Sequence, residues 1–252
     1  MFIHGREAYR RNSLLVLYTF YKNILYICTQ YVLGFWSVFS AQVLYEPFIY
    51  QLYNIMFTSI PIMYYALFDF EYDKFDTEVD DSKRAQNLNK KFLMNNPELY
   101  SIGITYSCYS MTLFTKWLLY GIAQSLIIFL LTYYLICSND LQSDGKSIGF
   151  WVIGHTVYAA CIFVANIVIF FRFNNYTGWG EWTCMAMVLG FFLAFYVESM
   201  LPMFSQTYYI FDTMMLQDIC WVQIITSCSL AALIEFGYKV WIVRKDGRYW
   251  IQ

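Results

Sequence analysis

This chain has little charge. Lysine, arginine, aspartate and glutamate make up 13% of its 252 residues, where a soluble domain carries about 25%. Against a hydrophobic content of 59%, that deficit excludes an ordinary soluble domain and puts the chain in the membrane class. Basic surplus is also missing: the net charge is −2, so nothing points to nucleic acid. The seven cysteines form no Cys-x-x-Cys pair, and six of them lie in or beside apolar runs, which argues against a disulfide framework or a zinc site. The start of the chain does not read as a cleavable signal, because it is polar and basic and the first apolar stretch is too long for a signal core. There is no internal repeat and no low-complexity segment.

What is present is a series of six apolar stretches, at approximately 13–38, 48–68, 113–136, 149–171, 182–200 and 217–240. Each is long enough, at 1.5 Å per residue, to cross a hydrocarbon core of about 30 Å. The sequence therefore predicts an all-α, polytopic membrane protein with six transmembrane helices in one domain over 1–252. An even number of spans puts both termini on one side. Of the sixteen lysines and arginines, fourteen fall on that side. They include Arg6, Arg10 and Arg11, the lysines and Arg84 of the long connector 69–112, Arg172, and the tail from Lys239 to Arg248. Lys146 stands alone on the other side. The positive-inside rule makes the fourteen-residue side cytoplasmic. Aromatic residues near the span ends (Phe35, Trp36, Trp151, Trp179, Trp182, Trp241) read as interfacial belts. The connector begins with an acidic run, Asp69 to Asp81, that lacks the glycine and closing glutamate of a calcium loop and reads as solvated.

Lys22 is the only charge in the first stretch, SLLVLYTFYKNILYICTQYVLGFWSVF from Ser13 to Phe39. A lysine near the middle of a span costs about 3 kcal/mol or more. It is tolerated where it faces a partner, a cavity or a substrate path. Tyr18, Lys22 and Thr29 lie near one stripe, with Asn23 and Gln30 widening it. In the second stretch Asn54, Thr58 and Pro61 are spaced four and three apart, so a regular helix puts them on one face. Pro61 has no N–H and frees the Phe57 carbonyl; freed backbone at membrane depth faces protein or water. From these residues alone two readings stand. The polar groups are glue between helices, or they line a transport path. Glu235, at a comparable depth in the last stretch, is an acid that a long lysine can reach.

The motifs bear on this choice. His4-Gly5-Arg6, Tyr9-Arg10 and Phe20-Tyr21-Lys22-Asn23 are followed by Phe39-Ser40-Ala41-Gln42, Tyr45 and Leu52-Tyr53-Asn54. Phe57-Thr58-Ser59-Ile60-Pro61, Leu67-Phe68-Asp69, Asn96-Pro97-Glu98-Leu99-Tyr100 and Phe114 with Lys116 continue the series. This ordered set resembles the membrane region of the type IV P-type ATPases, the phospholipid flippases, from the fifth membrane helix onward. The second half agrees in hydropathy and span count, with few diagnostic residues. Glu7-Ala8 and Ala66 depart from the family pattern without touching the polar path.

The resemblance implies that the six spans correspond to helices five to ten of a P-type ATPase. It implies ATP-driven movement of phospholipid from the outer to the cytoplasmic leaflet, in the plasma membrane or a Golgi or endosomal membrane of a eukaryote. It implies a substrate path at Lys22 and Asn54 with Asn23 beside them, to which the spacing above adds Thr58 and Pro61; it also implies ATP and Mg2+ as cofactors of the complete family protein, and an accessory β-subunit as partner. A fixed cation and amides suit a headgroup that must exchange water for protein partners. The sequence contains no Asp-Lys-Thr-Gly-Thr phosphorylation loop, no nucleotide or actuator domain and no glycine-rich phosphate loop. This chain by itself is therefore expected neither to hydrolyse ATP nor to form a phosphoenzyme. Two other readings remain: a passive scramblase or channel built from the same spans, and a non-catalytic binder of the accessory subunit.

Overall fold

The computed structural model describes residues 5–69, 101–137, 148–174, 178–203 and 206–246. The acidic run after Asp69, the Asn96–Tyr100 motif, Lys146 and the Asn175-Tyr176-Thr177 sequon lie outside the described residues. Those that are described form helices and connectors. They are α1 (Gly5–Trp36), α2 (Pro47–Leu52), a π turn (Tyr53–Phe57), α3 (Ser59–Phe68), α4 (Ser101–Ile104), α5 (Met111–Thr132, extended by a second π turn over Tyr133–Cys137), α6 (Phe150–Arg172), α7 (Trp179–Met200), α8 (Ile210–Leu216) and α9 (Asp218–Asp246).

Sequence accounts for several of the boundaries. The Glu46 carboxylate accepts from the backbone N–H groups of Phe48 and Ile49, and Pro47 takes the first helical position of α2, where a missing N–H costs nothing. Ser110 caps α5 by accepting from Leu113 N. Basic Arg172 closes α6, the favoured sign at a helix C-terminus.

Helix α6 is the hub. Nearly all of it is buried, and it touches α1, α3, α5, α7, α8 and α9. Small residues allow this. Gly154 lies so close to the Leu44 carbonyl that a Cβ there has no room, which seats the connector before α2 on the first turns of α6. The closest pairings besides are α1 with α5 and α6 with α9. Outward faces are apolar: on α7, Trp182, Met185, Leu189, Leu193 and Val197 are exposed. Such a face suits lipid as its solvent. Phe35, Trp36, Trp179, Trp182 and Trp241 are likewise exposed.

Among the described residues, four helical segments are long and apolar enough to cross a membrane: Met111–Ile136, Phe150–Arg172, Trp179–Met200 and Asp218–Trp241. These match the last four predicted stretches. The first two differ for a physical reason. Helix α1 is long, but Lys22, Asn23 and its tyrosines dilute its hydropathy. The second stretch is not one continuous helix: the π turn at Tyr53–Phe57 divides it into α2 and α3.

Candidate functional site

The division of the second stretch and the lysine of the first meet. Lys22 is 4% exposed and Thr58 fully buried. The Lys22 ammonium donates to Thr58 Oγ1 at 2.8 Å. Thr58 in turn donates to the Tyr53 carbonyl at 2.7 Å, across the π turn. The Tyr53 hydroxyl returns to α1, donating to the Lys22 carbonyl at 3.0 Å. The three residues thus form a circuit between the helices. A π turn leaves carbonyls badly aligned for helical bonding, and here Thr58 satisfies one of them.

Pro61 contributes indirectly. It is buried, and the Phe57 carbonyl that it frees accepts from Asn166 Nδ2 at 3.2 Å. The same nitrogen donates to the Ile162 carbonyl at 2.9 Å, while Asn166 Oδ1 is buried without a partner. Sequence reasoning missed Asn166. Its signal was available: a lone amide in the middle of an otherwise apolar span.

The predicted shared face of Asn54, Thr58 and Pro61 is corrected. Thr58 and Pro61 are buried, but Asn54 is exposed. The wider π turn lies between Asn54 and Thr58, so four residues no longer complete one turn. Asn23 is half-buried. Neither asparagine hydrogen-bonds to Lys22 or Thr58 among the described residues. Other members of the α1 stripe act as glue. Tyr18 donates to the Ala165 carbonyl at 3.1 Å. Thr29 bonds the Tyr45 hydroxyl and the Tyr26 carbonyl. Gln30 accepts from Leu44 N at 2.6 Å and donates to the Gln42 carbonyl at 2.9 Å.

Lys22 has no carboxylate within ion-pair distance among the described residues. Glu235, the acid within its predicted reach, is taken by Arg172 at 2.9 Å. The Arg172 guanidinium also lies over the rings of Trp117 and Tyr238, at 4.8 and 5.2 Å. Lys22 therefore keeps an ammonium with three donors on one neutral hydroxyl.

At the N-terminal end of α1 the chemistry is different. Arg10 donates to Tyr65 Oη at 2.8 Å and to Glu7 and Asp69 at 3.0 Å each. Asp69 also accepts from the backbone N–H and the side-chain amide of Asn174. Burial alone would lower the Arg10 pKa; Tyr65, Glu7 and Asp69 outweigh it and raise the pKa above the ordinary arginine value. This cluster locks α1 to the end of α3 and to the turn after α6. A cavity of about 480 Å³ opens beside it, lined among others by Lys116, Trp117, Tyr120, Arg172 and Glu235. No group of three or more His, Cys, Asp or Glu among the described residues is placed to hold a metal ion.

The comparisons with known proteins agree with this architecture. The family model for the carboxy-terminal region of phospholipid-translocating P-type ATPases matches residues 1–244. A phospholipid-transporting ATPase of Schizosaccharomyces pombe is 32% identical over 162 residues, covering 64% of this chain and 12% of that protein. The human phospholipid-transporting ATPase IH is 27% identical over 248 residues, covering 95% of this chain and 20% of its own length. The probable phospholipid-transporting ATPase 12 of Arabidopsis thaliana is 27% identical over 199 residues, covering 75% and 16%. A multi-pass membrane protein with a partly buried polar seam is the class that the fold defines. The chain belongs to the phospholipid-translocating P-type ATPases, matching their carboxy-terminal membrane region, and it spans a fifth or less of the length of these relatives.

Proposed function

We propose that this chain is the transmembrane portion of an ATP-dependent phospholipid flippase, moving phospholipid from the outer to the cytoplasmic leaflet when joined to the family's catalytic domains. In this reading α1 and the α2–π–α3 unit are also spans. They bring the count to six, corresponding to helices five to ten, with both termini in the cytoplasm. One observation carries the reading: the buried Lys22 ammonium rests on a single neutral partner, Thr58, beside an interrupted helix. A charge kept at such cost without a counter-ion has spare donors for an anionic group. A phosphate-bearing headgroup entering beside Thr58 would exchange hydration for those donors. Asn23 and Asn54 flank the site and supply amides on its approach, and Pro61 keeps the backbone open there. ATP and Mg2+ serve the complete family protein. An accessory β-subunit is the expected protein partner.

The test places this chain in a full-length relative in place of the matching region. Lys22→Ala should raise the lipid concentration for half-maximal ATPase stimulation about tenfold, the loss of one charge-assisted hydrogen bond, without lowering the melting temperature. Unchanged lipid dependence with a clear loss of stability would assign Lys22 to glue. Lipid flux by the isolated chain in liposomes without ATP would point to a passive scramblase instead.

A further inference from the structure

At the end of the bundle opposite Arg10, a histidine and a glutamate face each other. His155 lies near the start of α6 and Glu198 in the last turn of α7; they are 3% and 0% exposed. His155 Nε2 is 3.9 Å from Glu198 Oε2. Among the described residues, neither Nε2 nor either Glu198 oxygen has a hydrogen-bond partner. The other ring nitrogen, Nδ1, is 2.7 Å from the Trp151 carbonyl. A carbonyl only accepts, so Nδ1 carries a hydrogen. In a neutral imidazole Nε2 is then a lone pair, and it faces a carboxyl oxygen that is also an acceptor.

Two acceptors facing each other, both buried from solvent, is a costly arrangement. One proton removes the conflict. We propose that His155 and Glu198 form a proton-binding site that holds a single shared proton, and that binding it closes the 3.9 Å gap to hydrogen-bond distance, tying α6 to α7. On Glu198 it gives an acid donating to Nε2; on Nε2 it gives an imidazolium donating to the carboxylate. The pair is neutral overall in both forms, and the proton comes from solvent. The His155 ring is fixed for this role by stacking on Phe195, at 4.2 Å and 15°.

The surrounding titratable groups are Glu46 from the cap of α2 and Tyr158, one turn further along α6. Both lie within electrostatic range of Glu198. The Tyr158 hydroxyl is committed to the Ile49 carbonyl at 2.6 Å. Glu46 is partly exposed. Burial pushes its carboxyl up from the ordinary range, backbone donors oppose that and Glu198 adds to it. The bond also reaches α8. Ser199, next to Glu198, accepts from Phe211 N at 3.1 Å, and Phe211 packs on Phe195 with ring centroids 5.3 Å apart. None of this depends on the lipid path.

The 252-residue chain has two histidines, His4 and His155, so nitrogen NMR of a histidine-labelled sample resolves both. At neutral pH wild-type His155 Nε2 should show the shift of a hydrogen-bonded or protonated nitrogen. Glu198→Gln keeps a donor toward Nε2 and should hold it at the shift of a hydrogen-bonded lone pair even at alkaline pH. Glu198→Leu should move it to the shift of a free lone pair, and in the wild type alkaline pH should do the same. A free-lone-pair shift in the wild type at neutral pH, or a His155 that titrates in step with the tail residue His4, overturns the proposal. The wild-type measurement decides even where a variant fails to fold.

Discussion

Arg10 and Lys22 are both cations buried in α1, twelve residues apart in one helix. Their surroundings are opposite. Arg10 has two carboxylates and a tyrosine hydroxyl; Lys22 has one threonine hydroxyl. A charge surrounded by acceptors is a fastening, and its value lies in what it joins. A charge held by one neutral group keeps bonding capacity in reserve. The same helix therefore carries a lock at its end and an under-partnered cation in its middle, and burial alone does not tell the two apart.

The comparison breaks most readily at the lock. Asp69→Ala leaves Arg10 with Glu7 and Tyr65 and releases Asn174. It should cost about 3 kcal/mol, the loss of hydrogen bonds to a charged group, read as a lowered melting temperature or lost expression. A near-neutral result would mean that Arg10 is solvated and that the two cations are alike. Next is Thr58→Val, which removes the only acceptor of Lys22 among the described residues and uncovers the Tyr53 carbonyl. About 2 kcal/mol or more should be lost. Adding Lys22→Met should recover much of it, because the stranded charge is then gone. Additive losses in that double-mutant cycle would show that the two side chains do not interact.

Asn166→Leu tests the interruption of the second stretch. It leaves the Phe57 carbonyl without a donor and should cost about 1 to 2 kcal/mol, measured by thermal unfolding in detergent. No change would mean that water satisfies that carbonyl. The smallest stability effect belongs to Lys22→Met alone. It removes an expensive charge and should leave the melting temperature equal or higher, while lipid-stimulated turnover weakens in a full-length parent. A melting temperature that falls as far as in Asp69→Ala would make Lys22 a second lock.

Much of the architecture was legible in the residues. The four most apolar stretches became helices close to their predicted bounds, because length and hydropathy are local properties. Lys22 stood out for the same reason: one charge among apolar neighbours needs no tertiary information to be noticed. The family was legible in ordered motifs such as Tyr21-Lys22-Asn23 and Tyr53-Asn54. The site was only partly legible. Spacing rules assume a regular helix, so Asn54 was placed with Thr58, and the π turn between them put one inside and the other out.

By itself the sequence determined the membrane class, the order of the apolar stretches, the family, and the position along the chain of each polar residue within them. These follow from composition and from neighbours within a few turns. Only the tertiary structure decided which polar groups meet. Asn166 serves the Phe57 carbonyl from 109 residues away. Arg172 takes the glutamate that was in reach of Lys22, and His155 is brought opposite Glu198. Each is a choice among several chemically acceptable partners. It is made by which helices pack together and at what rotation, and no local pattern encodes that.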